Sequence, residues 1–153
     1  MKKETDTMKI ALGSDHGGDA LKCDIIQLLE KLGGNGPRVK KVEVPRLDVA
    51  AEHRMDTGNP ADRVWTRDLF TLEEAPRLGC GLMVMERTTF PWTLTYDEMD
   101  YVIEGRLDIL VDGQTVSAGP GEVLYIPKDT SIQFSVRDKA RFLYFVYPAN
   151  WQN

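Results

Sequence analysis

Cysteine, histidine and long apolar runs are scarce in this sequence. The 153 residues include two cysteines and two histidines, and no run reaches the roughly 18 apolar residues of a membrane-spanning helix. Two cysteines cannot form the disulfide framework of a small secreted protein, so a reducing cytoplasm is the expected compartment. The amino terminus also lacks the apolar core and cleavage site of a signal peptide. We therefore expect a cytoplasmic protein without a membrane partner.

Basic clusters are equally scarce. The formal net charge is −5, and the basic cluster that stands out is Arg38, Lys40 and Lys41. Nucleic-acid binding needs a concentrated basic patch, so no nucleic-acid partner is expected. The hydrophobic fraction of 42% and the charged fraction of 28% are ordinary for a globular protein.

The sequence divides into three parts by pattern. Residues 1–45 open with a short apolar run, a Gly-rich loop and an apolar stripe of helical period, which predict a β-α segment, either fused to the rest or disordered. Residues 46–62 show little periodicity and predict a linker or arm. Residues 63–153 carry short β-branched and aromatic runs between turn residues, which is typical of an antiparallel barrel.

Eight strands are predicted in this third part, and a further weak strand is possible at 39–44. Asp112-Gly113 between two apolar runs favours a two-residue hairpin turn. Eight short strands with such turns indicate a mainly β fold, a double-stranded jelly-roll barrel whose alternate side chains face a cavity. The predicted strands are 80–87, 92–96, 99–104, 106–111, 114–117, 122–126, 131–136 and 141–147.

Two segments resemble the motifs of the cupin superfamily. Glu98 to Gly105 fits the end of the first cupin motif, and Gly121 to Pro127 fits the start of the second. More narrowly, Thr57 to Trp151 resembles the carboxyl-terminal cupin domain of the ethanolamine-utilisation family EutQ. The segments that carry this resemblance are 56–60, 73–79, 88–94, 96–102 and 132–136.

The histidines of a cupin metal site are missing. A generic cupin holds its metal with three histidines and a glutamate. Here Trp92 and Leu94, or their immediate neighbours, and Ile132 take the histidine positions, and only Glu98 is retained. One carboxylate cannot hold a transition metal tightly, so no metal site is expected. A metal-dependent cupin enzyme is the third alternative for function, to be decided by elemental analysis.

Alternation along the strands predicts which polar side chains share the cavity. Glu98 and Asp100 are the candidate catalytic residues, because neighbouring carboxylates repel and at least one should have a raised pKa. The alternatives are a solvated rim for the carboxylates and plain packing for the aromatic residues. The candidate ligand-binding residues are Glu86, Trp92, Tyr96, Tyr125 and Gln133.

Residues 8–32 resemble the opening of type B ribose-5-phosphate isomerases. That resemblance implies sugar-phosphate contacts for Asp15 and His16. The rest of that family's sheet and its catalytic cysteine are absent, and one β-α unit cannot bury its own apolar face. We expect a fused or truncated segment without isomerase activity.

The EutQ resemblance implies a role in ethanolamine catabolism, microcompartment association and acetate kinase activity. No phosphate-binding loop of the Walker type is present, and phosphoryl transfer needs neutralising charge. The expected arrangement is Mg²⁺ held through Glu98 and Asp100, entering as Mg-ATP, with no tightly bound cofactor. Candidate basic residues nearby are Arg87, Arg106 and Lys128.

The alternative from another class is a non-catalytic cupin. It would bind a small metabolite, or a microcompartment shell or enzyme partner. An apolar cavity without converging carboxylates favours binding, whereas a polar pocket open to water favours catalysis. By analogy with barrels of this kind, we expect a homodimer.

Overall fold

A computed structural model of the protein describes residues 39–151. The predicted β-α segment, including Asp15 and His16, lies outside the described residues. The chain divides into two compact units, Met1–Lys41 and Val42–Asn153, and every strand among the described residues lies in the second. No helix within the described part has the length and apolar character needed to cross a membrane.

The second unit is built from antiparallel strands joined in one seven-stranded sheet. The strand order is β1-β2-β7-β3-β6, and β4 pairs with both β5 and β7. The barrel predicted from the sequence is therefore present. The strands are β1 (Val64–Asp68), β2 (Gly79–Thr93), β3 (Asp97–Gly105), β4 (Leu107–Val111), β5 (Gln114–Ala118), β6 (Val123–Ile126) and β7 (Ser131–Tyr147).

Two strands each take in two of the predicted runs, and one strand was not predicted. The run 80–87 and the start of the run 92–96 belong to β2, which ends at Thr93, and residues 94–96 lie in no strand. The runs 131–136 and 141–147 both belong to the single strand β7. In β2 the ladder shifts register between Glu86 and Thr88, where Arg87 has a φ of 44°. This bulge interrupts the alternation that a sequence pattern relies on. The unpredicted strand is β1.

An arm precedes the barrel and packs on β7 and β1. No strand forms at 39–44; the arm contains two 3-10 turns, Val44–Arg46 and Ala51–His53. The Arg141 guanidinium donates hydrogen bonds to the carbonyls of Val44 and Leu47, and Arg67 donates to the carbonyl of Asp48 at 2.8 Å. These bonds satisfy arm backbone groups that have no ladder partner.

The core lies between the inner faces of the barrel. In β7, Ile132, Phe134 and Val136 alternate with exposed or half-exposed polar residues, and the alternation resumes at Ala140. The ring of Phe90 stacks on that of Phe134 with centroids 5.4 Å apart. Burial of these side chains drives the sheet to close.

Candidate functional site

Strand β3 carries two acidic side chains into the barrel. Glu98 is 4% exposed and Asp100 is fully buried, whereas Met99 and Tyr101 between and beyond them are exposed. Period-two alternation thus places both carboxyls on the inner face, as the sequence predicted. Neither forms an ion pair with any of the described residues.

Burial makes both carboxyls weak acids. Loss of hydration raises the pKa of Glu98 to about 7, although the neighbouring Asp100 and Tyr96 side chains act to lower it. Burial and the nearby Glu98 charge raise the pKa of Asp100 well above its ordinary value. Neither carboxyl oxygen of Asp100 has a hydrogen-bond partner among the described residues. We therefore expect Asp100 to be protonated and Glu98 to change charge near neutral pH.

Aromatic rings surround Glu98. The ring of Trp151 lies 6.4 Å from that of Trp92, 5.8 Å from that of Tyr96 and 6.0 Å from that of Tyr144. The Trp92 indole Nε1–H donates to the Tyr96 hydroxyl at 2.8 Å. We call this narrow space the barrel cavity; its volume is about 10 Å³, room for about one water-sized group. It is lined by Met55, Met83, Trp92, Tyr96, Glu98, Phe134, Tyr144, Val146 and Trp151.

Strand register places Tyr144 on the same inner face of the barrel as Glu98 and Asp100. Across the sheet, Asp100 lies opposite Tyr144, Tyr144 opposite Gly81, and Gly81 opposite Asp68. Directly opposed residues share a face, so this row runs along the inner side of the barrel. The Tyr144 hydroxyl donates to the Asp68 carboxylate. A Cβ on Gly81 would lie 2.0 Å from that hydroxyl oxygen, so glycine is what lets the ring cross.

A wider cleft lies over the mouth of the barrel cavity. It has a volume of about 690 Å³ and shares Met55, Trp92 and Trp151 with the cavity beneath. The arm and β1 supply its polar lining. The charged and polar residues of the cleft are Glu52, His53, Arg54, Asp56, Thr66, Arg67 and Asp68.

The structure corrects the placement of three predicted cavity residues. Glu86 lies on the outer face with Val84, where Arg63 and Lys139 pair with its carboxylate. The bulge after Glu86 is the reason, because the inward residues change from odd to even numbers there. Tyr125 and Gln133 also point outward, since each stands between two buried apolar neighbours of its strand. The sequence prediction overlooked that local alternation.

Trp92 and Tyr96 do lie at the cavity, whereas other lining residues were not foreseen. Tyr144 occupies a buried position of β7, where the other buried residues are apolar. A tyrosine in that alternating apolar pattern was the sequence signal that could have identified it. Trp151 and Met55 come from segments without periodicity, so no sequence signal identified them. Arg54 of the cleft was missed for the same reason, and Arg67 because its strand, β1, was not predicted.

The donor set does not fit the Mg²⁺ predicted at Glu98 and Asp100. Mg²⁺ needs near-octahedral oxygen ligands and keeps several waters, but this cavity is lined mainly by apolar groups and has room for about one water. No group of three or more His, Cys, Asp or Glu side chains suited to a metal occurs in residues 39–151. The predicted basic neighbours Arg87, Arg106 and Lys128 line neither the cavity nor the cleft.

Comparison with known proteins gives a consistent result. A family profile described as ethanolamine utilisation protein EutQ matches residues 19–153. The chain is 59% identical over 113 residues to the acetate kinase EutQ of Clostridioides difficile (strain 630), covering 74% of this chain and 72% of that protein. It is 45% identical over 86 residues to the acetate kinase EutQ of Escherichia coli (strain K12), covering 56% of this chain but 37% of that protein.

Solved structures agree. The Clostridium difficile EutQ protein has 58% identity and a TM-score of 0.73, covering 76% of this chain and 86% of that one. A cupin superfamily protein from Desulfitobacterium hafniense, 16% identical, has a TM-score of 0.50 over 56% of this chain and 77% of its own, and shows the fold alone. The isomerase resemblance finds no support, and the family match takes in residues 19–32 of that segment.

Proposed function

Because the chain belongs to the EutQ family of ethanolamine utilisation proteins, we propose that it interconverts acetyl phosphate and ADP with acetate and ATP. The observation that carries this proposal is the 59% identity to the acetate kinase EutQ of C. difficile over most of both chains. In that reaction the terminal phosphate oxygen of ADP forms a new bond to phosphorus. The bond from phosphorus to the acetyl oxygen breaks, and acetate leaves with the electron pair.

The cleft is the place for the phosphates. A volume of about 690 Å³ is within the range of small-molecule sites. Arg54 and Arg67 supply fixed positive charge, which phosphoryl transfer requires. Each guanidinium is oriented by backbone carbonyls: Arg54 by those of Pro60 and Asp62, and Arg67 by that of Asp48. Magnesium would enter with the nucleotide as part of the substrate.

Glu98 is the proposed catalytic carboxyl, and Asp100, which is fully buried and does not line the cavity, would act through it as a positioning residue. Glu98 lines the barrel cavity, which shares Met55, Trp92 and Trp151 with the cleft. Its pKa of about 7 allows it to hold a proton at neutral pH. A neutral carboxyl can donate a hydrogen bond to an acetyl oxygen that approaches through the mouth. The ionised form would repel the acetate product, which favours release.

The test is ATP formation from acetyl phosphate and Mg-ADP by the purified chain, followed with a luciferase readout. We expect activity in the wild type, a loss of at least tenfold in kcat for Glu98→Gln, and a raised KM for ADP in Arg67→Gln. Glu104→Gln, an exposed carboxylate on the same strand, is the control and should retain activity. Unchanged turnover in Glu98→Gln removes the role of Glu98, and absence of ATP formation removes the proposal.

A non-catalytic binding protein is the second candidate, favoured by the apolar lining and small volume of the barrel cavity. Thermal shift with Mg-ATP, acetyl phosphate, simple amines and sugars separates the two. Stabilisation by a small metabolite without any response to nucleotide supports this second candidate. From the family, we also propose that the protein associates with a microcompartment, which co-purification would test. By analogy with barrels of this kind, we propose that it pairs as a homodimer, which light scattering would test.

A further inference from the structure

The barrel cavity has the chemistry of a cation site. It combines a nearly buried carboxyl, Glu98, with the rings of Trp92, Tyr96, Tyr144 and Trp151. Aromatic faces attract cations through their ring quadrupoles, and groups of rings recognise alkylammonium ions in this way. No Lys, Arg or His side chain lines this cavity within the described part of the chain.

A second acid lies beside the first. Asp100, two residues along the same inner face, is fully buried and does not line the cavity, and the Glu98 charge acts to raise its pKa. Two buried carboxyls this close ionise only at a cost in free energy, which a cation bound beside Glu98 would lower.

The orientation of the hydrogen bonds favours ionised Glu98 as an acceptor. The Trp92 indole donates to the Tyr96 hydroxyl oxygen, so the Tyr96 proton is free to point elsewhere. The Tyr96 hydroxyl lowers the pKa of Glu98 as a hydrogen-bonding neighbour. The Tyr96 hydroxyl is therefore available to donate to the Glu98 carboxylate.

Size restricts the occupant further. A volume of about 10 Å³ accommodates one water-sized group, which suits an –NH₃⁺ head and excludes a tetra-alkylated nitrogen. The remainder of a small molecule would pass between Met55, Trp92 and Trp151 into the cleft, which shares these three residues.

We infer that the barrel cavity binds the ammonium head of a small primary amine, with Glu98 as its counter-ion and the surrounding rings as its walls. The inference goes beyond the proposed phosphoryl transfer and does not rest on it, because amine binding uses the ionised form of Glu98, whereas that reaction uses the protonated form. The titratable groups around Glu98 are Asp100 on its own strand, Tyr96 in the preceding turn, and Tyr144 on β7 with Asp68 behind it.

The test is calorimetric titration of the purified chain with ethylammonium chloride, in phosphate buffer because amine buffers would compete. The ligand stays protonated up to a pKa of about 10, as lysine does. Since the carboxylate form binds, the apparent Kd should be about tenfold lower at pH 8 than at pH 6. Tetramethylammonium chloride at equal concentration should neither bind nor compete.

Variants localise the effect. Glu98→Gln keeps the shape and removes the charge, and it should abolish saturable binding, while Glu104→Gln should bind as the wild type does. No saturable binding at pH 8, tighter binding at pH 6, or unchanged binding in Glu98→Gln would each overturn the inference. The pH comparison uses the wild type alone and holds even if a variant fails to fold. If the wild type binds the amine but forms no ATP, the proposed function is wrong and this inference stands.

Discussion

Replacing Gly81 by alanine tests the inner face of the barrel. An added Cβ would lie 2.0 Å from the Tyr144 hydroxyl oxygen, 2.1 Å from Cζ and 2.5 Å from Cε1. Ordinary carbon contacts are about 3.5–4.0 Å, so the ring must retreat by roughly 1.5 Å. Tyr144 is 2% exposed and has packed neighbours on its other side, so the displacement cannot be absorbed cheaply.

The expected cost has two parts. Overpacking a filled interior costs about 1–3 kcal/mol, and loss of the hydrogen bond from Tyr144 to Asp68 costs about 1 kcal/mol. We therefore expect the free energy of unfolding to fall by about 2–4 kcal/mol, measured by urea denaturation. The displaced ring should also weaken any ligand bound in the barrel cavity.

A double-mutant cycle isolates the cause. In a Tyr144→Leu background the ring is gone, so Gly81→Ala should cost less than about 0.5 kcal/mol, which gives a coupling energy of about 1.5 kcal/mol or more. If Gly81→Ala alone changes stability by less than about 0.5 kcal/mol, or costs the same in both backgrounds, the described packing of Tyr144 against β2 is incorrect.

Three other predictions concern charge, backbone and thiol chemistry. Because the pKa of Glu98 in the folded protein is raised to about 7, the free energy of unfolding of the wild type should decline as pH rises from about 4.5 to 7. In urea titrations, the free energy of unfolding of Glu98→Gln relative to the wild type should rise by roughly 3 kcal/mol between pH 4 and pH 8. A stability difference between the two proteins that does not change with pH would contradict this. Gly105 and Gly113 have φ of 77° and 73°, but of the two only Gly105 has a close neighbour, since a Cβ there would lie 1.9 Å from the Lys139 carbonyl oxygen. Gly105→Ala should therefore lower the free energy of unfolding by at least about 2 kcal/mol more than Gly113→Ala does. Equal losses would show that the Lys139 carbonyl does not lie this close to Gly105. Burial raises the pKa of Cys80 to about 11, so its alkylation at pH 8, followed by mass spectrometry of its peptide, should be about 100-fold slower than in the unfolded chain; equal rates would show an ionised, accessible thiol.

Periodicity predicted the parts of the fold where one face of a strand is buried and the other is not. The alternation in β3 was sufficient to place Glu98 and Asp100 inward, and the Asp112-Gly113 hairpin joins β4 and β5 as predicted. The pattern failed for Glu86, because the bulge at Arg87 inverts parity within a strand. The alternation of apolar and polar residues in the sequence does not reveal a bulge of this kind.

The cavity walls were harder to predict than the acids. Tyr144 reaches Asp68 only because β1, β2 and β7 align a glycine between them, and cross-strand register is set by the whole sheet rather than by local sequence. Met55 and Trp151 lie in irregular segments, where position depends on tertiary packing. The arginines of the cleft escaped prediction because one of them belongs to such a segment and the other to the unpredicted strand β1.

The pKa of Glu98 tests the central claim most directly, since it reports whether this acid is buried among aromatic rings without a fixed cation. Selective ¹³C labelling of the glutamate side-chain carboxyls, with Glu98→Gln to assign the resonance, gives the midpoint of its titration by NMR. A midpoint near 7 is expected from loss of hydration. A midpoint near the ordinary value of about 4.3 would place the carboxylate in water and contradict the account.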